Sequence, residues 1–68
     1  MGYLVIFEKT GTGDSAYVPD LPGCVSTGKT LARTRANMRE AIYGHLSVMR
    51  ERGERIPRPS THAEEIEL

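Results

Sequence analysis

The stretch Val18-Pro19-Asp20-Leu21-Pro22-Gly23-Cys24-Val25-Ser26-Thr27-Gly28-Lys29-Thr30 decides the fold, because the sequence changes character across it. Up to its first residues the chain is rich in β-branched and aromatic residues, and after it apolar residues recur with helical spacing. Pro19 and Pro22 fix φ, and Gly23 permits positive φ, so the first half predicts a sharp, stiff turn. The second half predicts a short strand and then a turn that closes into a helix N-cap at Thr30.

Three strands are predicted around this turn, at residues 3–9, 15–19 and 24–27. In the first strand, Tyr3, Val5 and Phe7 share one face. Its other face also begins with apolar residues, which is typical of an interior strand covered on both sides. Residues 10–14 contain two glycines and predict a hairpin connection between the first two strands. The three strands therefore form an antiparallel meander.

One long helix is predicted over residues 30–52. At 1.5 Å per residue it would be roughly 34 Å long, longer than the strands that it covers. Gly53 is placed to end the helix in a Schellman motif, and Pro57 prevents its continuation. The apolar face of this helix comprises Leu31, Thr34, Met38, Ala41, Ile42, His45 and Met49.

The chain after the helix is predicted to be extended, because Pro57 and Pro59 favour polyproline geometry for themselves and their predecessors. Residues 64–68, Glu-Glu-Ile-Glu-Leu, could be a fourth strand or an acidic tail, and the alternation favours the strand. After a right-handed crossover, that strand would lie parallel to strand one, in the order 3-2-1-4. The predicted fold class is α+β, with element order β-β-β-α-β.

Size and composition predict a single domain over residues 1–68 that associates with other copies. One helix covers only one face of the sheet, and a single cysteine excludes an intrachain disulfide. The net charge is zero, so bulk electrostatics do not direct the chain to nucleic acid or membranes. The apolar run at residues 3–7 is too short for a signal sequence or membrane span, which predicts a soluble, cytoplasmic protein.

The motifs together resemble the HicB-like antitoxin family of type II toxin–antitoxin systems. The resemblance covers nearly the whole chain and combines the opening strand, the Pro-Asp-Leu-Pro-Gly-Cys turn, a Gly-x-Thr helix start and a distal Ile-Pro-x-Pro-Ser segment. The residues that carry this structural signature are Pro19, Asp20, Pro22, Gly23, Gly28, Thr30, Gly53, Pro57 and Pro59.

The resemblance implies a partial RNase H-like fold without nuclease activity. It also implies a protein partner, a small HicA-like mRNA-cleaving ribonuclease toxin that the antitoxin neutralises by covering its active surface, and assembly into homodimers or larger homo-oligomers. Two features depart from the family pattern. The helix begins with basic rather than acidic residues, and 68 residues leave no room for the C-terminal DNA-binding domain that many members carry.

No catalytic, metal-binding or cofactor-binding residue is predicted. Two-metal hydrolysis needs acids that converge on one point, and of Glu8, Asp14 and Asp20 only Glu8 falls in a strand. Asp20 is expected to accept hydrogen bonds from its own turn. Cys24 and His45 are expected to be packing residues, because neither has a neighbouring partner that would make it reactive.

Four arginines of the helix are the candidate binding residues for a partner protein or for nucleic acid: Arg33, Arg35, Arg39 and Arg50. They could contact RNA phosphates or an acidic protein, or they could form an ordinary solvated helix surface with i,i+4 pairing. The sequence thus predicts a non-enzymatic antitoxin, and the alternative is a nucleic-acid-binding domain that uses the arginine-bearing helix.

Overall fold

The computed structural model describes residues 2–68 and shows the predicted α+β architecture. The elements are β1 (Ile6–Lys9), β2 (Asp14–Tyr17), β3 (Val25–Gly28) and α1 (Leu31–Glu51). The strands form one antiparallel sheet in the order β1-β2-β3. Its residues pair in rows, and Ala16 of β2 lies opposite Phe7 of β1 and Ser26 of β3.

The first strand is shorter than predicted and is not an interior strand. β1 begins at Ile6 instead of Tyr3, and its pairing with β2 ends at Tyr17. Two residues after Tyr17 the chain reaches Pro19, which has no backbone N–H to donate to the pairing with β1. Because no strand forms on its outer side among residues 2–68, β1 is an edge of the sheet. The prediction of an interior strand is therefore wrong for these residues.

Both ends of the helix are capped as the sequence predicts. The hydroxyl of Thr30 accepts the backbone N–H of Arg33 at 3.1 Å, which satisfies one of the free donors of the first turn. At the other end, Gly53 has φ +70° and donates to the carbonyl of Arg50, while Glu54 donates to the carbonyl of Met49. This pair of bonds is a Schellman motif, so local chemistry fixes the length of α1.

The helix packs across β3 and β2, and the core lies beneath it. The closest approach is at Gly28, where a Cβ would lie 2.6 Å from the hydroxyl oxygen of Thr34, a residue that is fully buried. Since any side chain at this position would collide with α1, glycine sets the distance between helix and sheet. The buried apolar residues of the core are Ala16, Val18, Leu21, Cys24, Met38 and Leu46.

The predicted C-terminal strand does not form. Residues 54–68 lie outside any helix or strand, and residues 60–68 are exposed. Near its start, the Tyr3 hydroxyl donates to the Pro57 carbonyl and Ile56 packs against the core. The Asp20 carboxylate then accepts hydrogen bonds from Ser60 and Thr61. Residues 62–68 beyond them do not pair with any strand among residues 2–68. A strand needs a partner edge, and residues 64–68 lie on none within this chain.

Among the described residues, no helix combines the length and the apolar character that a membrane crossing requires.

Candidate interaction surfaces

The turn between β2 and β3 is tied both to the core and to the C-terminal segment. Leu21 is 1% exposed, and its backbone N–H donates to the carbonyl of Val18 at 3.0 Å. Cys24 donates in turn to the carbonyl of Leu21 at 3.0 Å, and Gly23 adopts the positive φ of 84° that the sequence predicts. The turn is therefore held together by its own hydrogen bonds, and the Leu21 side chain anchors it in the core.

Asp20 holds the C-terminal segment to this turn. Its carboxylate accepts four hydrogen bonds, from the backbone N–H and the hydroxyl of both Ser60 and Thr61, at 2.6–3.1 Å. These bonds favour the charged form and lower the pKa of Asp20 from 3.8 to about 2. The prediction that Asp20 accepts bonds from its own turn is wrong. It joins two segments that lie forty residues apart.

The sheet face opposite α1 carries an uncovered apolar row. Ile6, Tyr17 and Val25 are paired in register, and strand alternation places them on the face away from buried Ala16. Tyr17 is 40% exposed and Val25 is 63% exposed. The same alternation adds Glu8 and no lysine or arginine to this face. We call this row, with its flanking residues, the open face; it is apolar at its centre and weakly acidic at its edge.

A groove of about 370 Å³ runs between β1 and α1. Its floor consists of half-buried apolar side chains, because α1 lies over β3 and β2 and leaves the helix-facing side of β1 only partly covered. Arg35 and Arg39 line its rim, and the Arg35 guanidinium lies over the Phe7 ring, 6.0 Å from its centroid. We call this feature the β1–α1 groove. Its lining includes Tyr3, Val5, Phe7, Arg35, Arg39 and Tyr43.

The four candidate arginines do not form one site. All four are exposed, but only Arg35 and Arg39 line the β1–α1 groove. Arg33 precedes Arg35 by two residues, which places it about 200° around the helix. Arg50 lies on the same side as Arg39 but about 16 Å further along the axis. A continuous basic surface of four arginines, which the nucleic-acid interpretation favours, is therefore not assembled.

The acidic residues considered as metal ligands lie apart from one another. Glu8 lies on the open face, and Asp14 is buried on the face of the sheet that α1 covers. The Asp20 carboxylate accepts hydrogen bonds from Ser60 and Thr61. Within residues 2–68, no group of three or more metal-ligating side chains converges. Burial raises the pKa of the Cys24 thiol, which keeps it in its unreactive protonated form.

Two functional features escaped prediction from the sequence. The partnership of Asp20 with Ser60 and Thr61 joins distant segments, and only the paired occurrence of the two motifs in the resemblance pointed to a link. The β1–α1 groove arises from the lateral position of the helix on the sheet. Helical periodicity identifies the buried side of a helix, but it does not say which strands that side covers.

Comparisons with known proteins agree with this geometry. A family model described as a HicB-like antitoxin of a bacterial toxin–antitoxin system matches residues 3–67. A chain in a solved HicA3 and HicB3 toxin–antitoxin complex superposes with a TM-score of 0.76 and 32% sequence identity, over 88% of this chain and 70% of that one.

Two curated relatives are also similar. The UPF0150 protein Ta0767 of Thermoplasma acidophilum is 40% identical over 67 residues, which are 97% of this chain and 94% of the relative. An uncharacterized 14.9 kDa protein from the rep-hol intergenic region of Haemophilus phage HP1 is 41% identical over 58 residues, or 85% of this chain. The chain spans only 44% of the length of the phage protein. On the strength of the match over residues 3–67, the chain belongs to the HicB-like antitoxin family of bacterial toxin–antitoxin systems.

Proposed function

We propose that this protein neutralises a small HicA-like ribonuclease toxin in the cytoplasm by binding over the toxin's active surface. The similarity to a chain of the HicA3–HicB3 complex, over 88% of this sequence, carries the proposal. The mechanism is occlusion, so the antitoxin supplies surface shape and charge and performs no chemistry of its own. The dispersed positions of Glu8, Asp14 and Asp20 support that part of the proposal.

We assign toxin binding to the open face on the basis of charge. A ribonuclease must attract the phosphates of RNA, and such surfaces are basic. The open face presents an apolar row of Ile6, Tyr17 and Val25 with Glu8 beside it. The β1–α1 groove, in contrast, has arginines at its rim and would repel a basic toxin surface. Apolar contact at the centre with an acidic edge is the composition that suits a basic partner.

The alternative function, a nucleic-acid-binding domain, has less support. Sequence-independent binding to nucleic acid depends on several clustered basic residues. Here the chain has no net charge, and only Arg35 and Arg39 line one surface. We also propose that the fold is a partial RNase H-like fold, which the order of three antiparallel strands and one helix supports.

Co-expression with the HicA-like toxin tests both parts of this proposal. Wild-type protein should restore the growth of cells that produce the toxin and should co-purify with it. The open-face variant Tyr17→Asp/Val25→Asp should lose both effects, because it places two charges in the apolar row. Both side chains are exposed in the wild type, but Tyr17 and Val25 lie directly opposite each other across β2 and β3, so the two new carboxylates repel. Circular dichroism of the variant therefore accompanies the test, and if the double variant is unfolded, Val25→Asp alone replaces it.

The matched control is Arg58→Glu, which changes charge at an exposed position outside the open face and the groove. It should behave as the wild type. Failure of the wild-type protein to restore growth or to retain the toxin would refute the antitoxin function. Full activity of the open-face variant would show that the toxin binds elsewhere.

A further inference from the structure

Among residues 2–68, the arginines of the β1–α1 groove form no ion pair with an acidic side chain. The ion pair found among residues 2–68 joins His62 and Glu64 at 2.7 Å and lies elsewhere. The Arg35 guanidinium lies over the Phe7 ring, and Arg39 is exposed at the rim. Two like charges four residues apart on a helix repel each other. The groove therefore combines an apolar floor with an uncompensated positive rim.

Residues 64–68 have the opposite character. Their sequence, Glu-Glu-Ile-Glu-Leu, places two apolar residues among three carboxylates. Ile66 is 71% exposed and Leu68 is completely exposed, so neither packs on anything in its own chain. In an extended conformation these two side chains point to one side, and Glu65 and Glu67 point to the other. This segment is apolar along one edge and acidic along the other.

We propose that residues 64–68 of a second copy of this chain occupy the β1–α1 groove, and that two copies exchange these segments reciprocally. Ile66 and Leu68 then cover the half-buried Val5 and Phe7, while the glutamates lie beside the arginines of the rim. The outer edge of β1 has unpaired backbone groups, so the incoming segment can also add to the sheet as a strand.

The second copy, and not the same chain, is the occupant that the contacts favour. Asp20 fixes the chain at Ser60 and Thr61, residues 62–68 beyond them are exposed, and none of these residues lines the β1–α1 groove. A two-fold pair fills both grooves and covers both segments at once. A chain with zero net charge does not repel its own copy, and a domain of this size gains from added core.

The test is the oligomeric state of the purified protein, by size-exclusion chromatography with light scattering. It involves no toxin, so its outcome and that of the toxin-binding test are independent. Wild-type protein should be a dimer whose dissociation constant rises with salt. The groove variant Arg35→Glu/Arg39→Glu and the tail variant Glu65→Arg/Glu67→Arg should each weaken the dimer by about tenfold or more. Arg58→Glu, at an exposed position outside the groove, should leave it unchanged.

Mixing the two variants identifies the occupant. In a mixed pair each groove receives a segment of opposite charge, so an equimolar mixture should recover the wild-type dimer although each variant alone does not. Docking of the segment in the groove of its own chain predicts a monomeric wild type, and a dimer formed through another surface predicts no recovery on mixing. That result, a monomeric wild type, or a dimer that neither variant weakens would overturn the proposal.

Discussion

Replacing Leu21 by alanine should remove a large part of the folding free energy. Leu21 is 1% exposed and lies in the core with Val18, Cys24 and Met38. Fully buried Leu→Ala changes cost about 2.7–5 kcal/mol, the sum of lost transfer free energy and the cavity left behind. For the 68 residues of this chain, about 0.05–0.15 kcal/mol per residue gives a total stability of roughly 3–10 kcal/mol. The substitution therefore removes at least about a quarter of it.

Thermal unfolding followed by circular dichroism measures this loss. An unfolding entropy of about 2.1 cal/mol/K per residue converts a loss of 3 kcal/mol into a fall in Tm of about 20 °C. Leu31→Ala is the matched control, because it removes the same atoms from a side chain that is 45% exposed and should cost less than about 1 kcal/mol. Both variants are measured at one protein concentration, since association shifts Tm. Equal losses in the two variants would refute the placement of Leu21 in the core.

For two further substitutions the structure determines whether the protein becomes more or less stable. Gly28→Ala should destabilise the protein by about 1–3 kcal/mol, because the new Cβ meets the side chain and backbone of Thr34 at 2.6–3.0 Å. Gly44→Ala, within the helix, should stabilise the protein by about 0.5–1 kcal/mol, because its Cβ meets nothing within 4 Å. Shifts in Tm of the same sign for the two variants would contradict this description of the helix–sheet contact. The carboxylate of Asp20, whose pKa is lowered to about 2 in the folded state, stabilises the fold fully above about pH 4 and loses this effect as the pH falls towards 2. Asp20→Asn should therefore melt below the wild type at pH 7, and the gap should narrow between pH 4 and pH 2; a constant gap would show that the charge of Asp20 is not what holds the C-terminal segment.

The features predicted correctly from the sequence are those that local chemistry determines. Thr30 caps the helix and Gly53 ends it through bonds to residues within one turn of each. The alternation of residues 3–7 places Tyr3, Val5 and Phe7 on one face, and in the structure all three pack against the core. Each of these depends on a few consecutive residues, and a single sequence contains that information.

The features that were missed depend on how distant segments meet. The alternation in residues 64–68 predicted a strand, but alternation shows only that a segment could pair, and this chain offers it no partner. The status of β1 as an edge strand follows from that missing partner. Asp20 looked like a turn residue, because nothing in its neighbourhood shows that Ser60 returns to it.

The central claim, that this protein neutralises a HicA-like ribonuclease by occlusion, is tested most directly by RNA cleavage in vitro. A purified HicA-like toxin is titrated with this protein, and cleavage of an RNA substrate is followed at each ratio. Occlusion predicts that cleavage falls linearly and stops at a fixed stoichiometric ratio, while the open-face variant Tyr17→Asp/Val25→Asp leaves cleavage intact. Undiminished cleavage in the presence of excess wild-type protein would contradict the account.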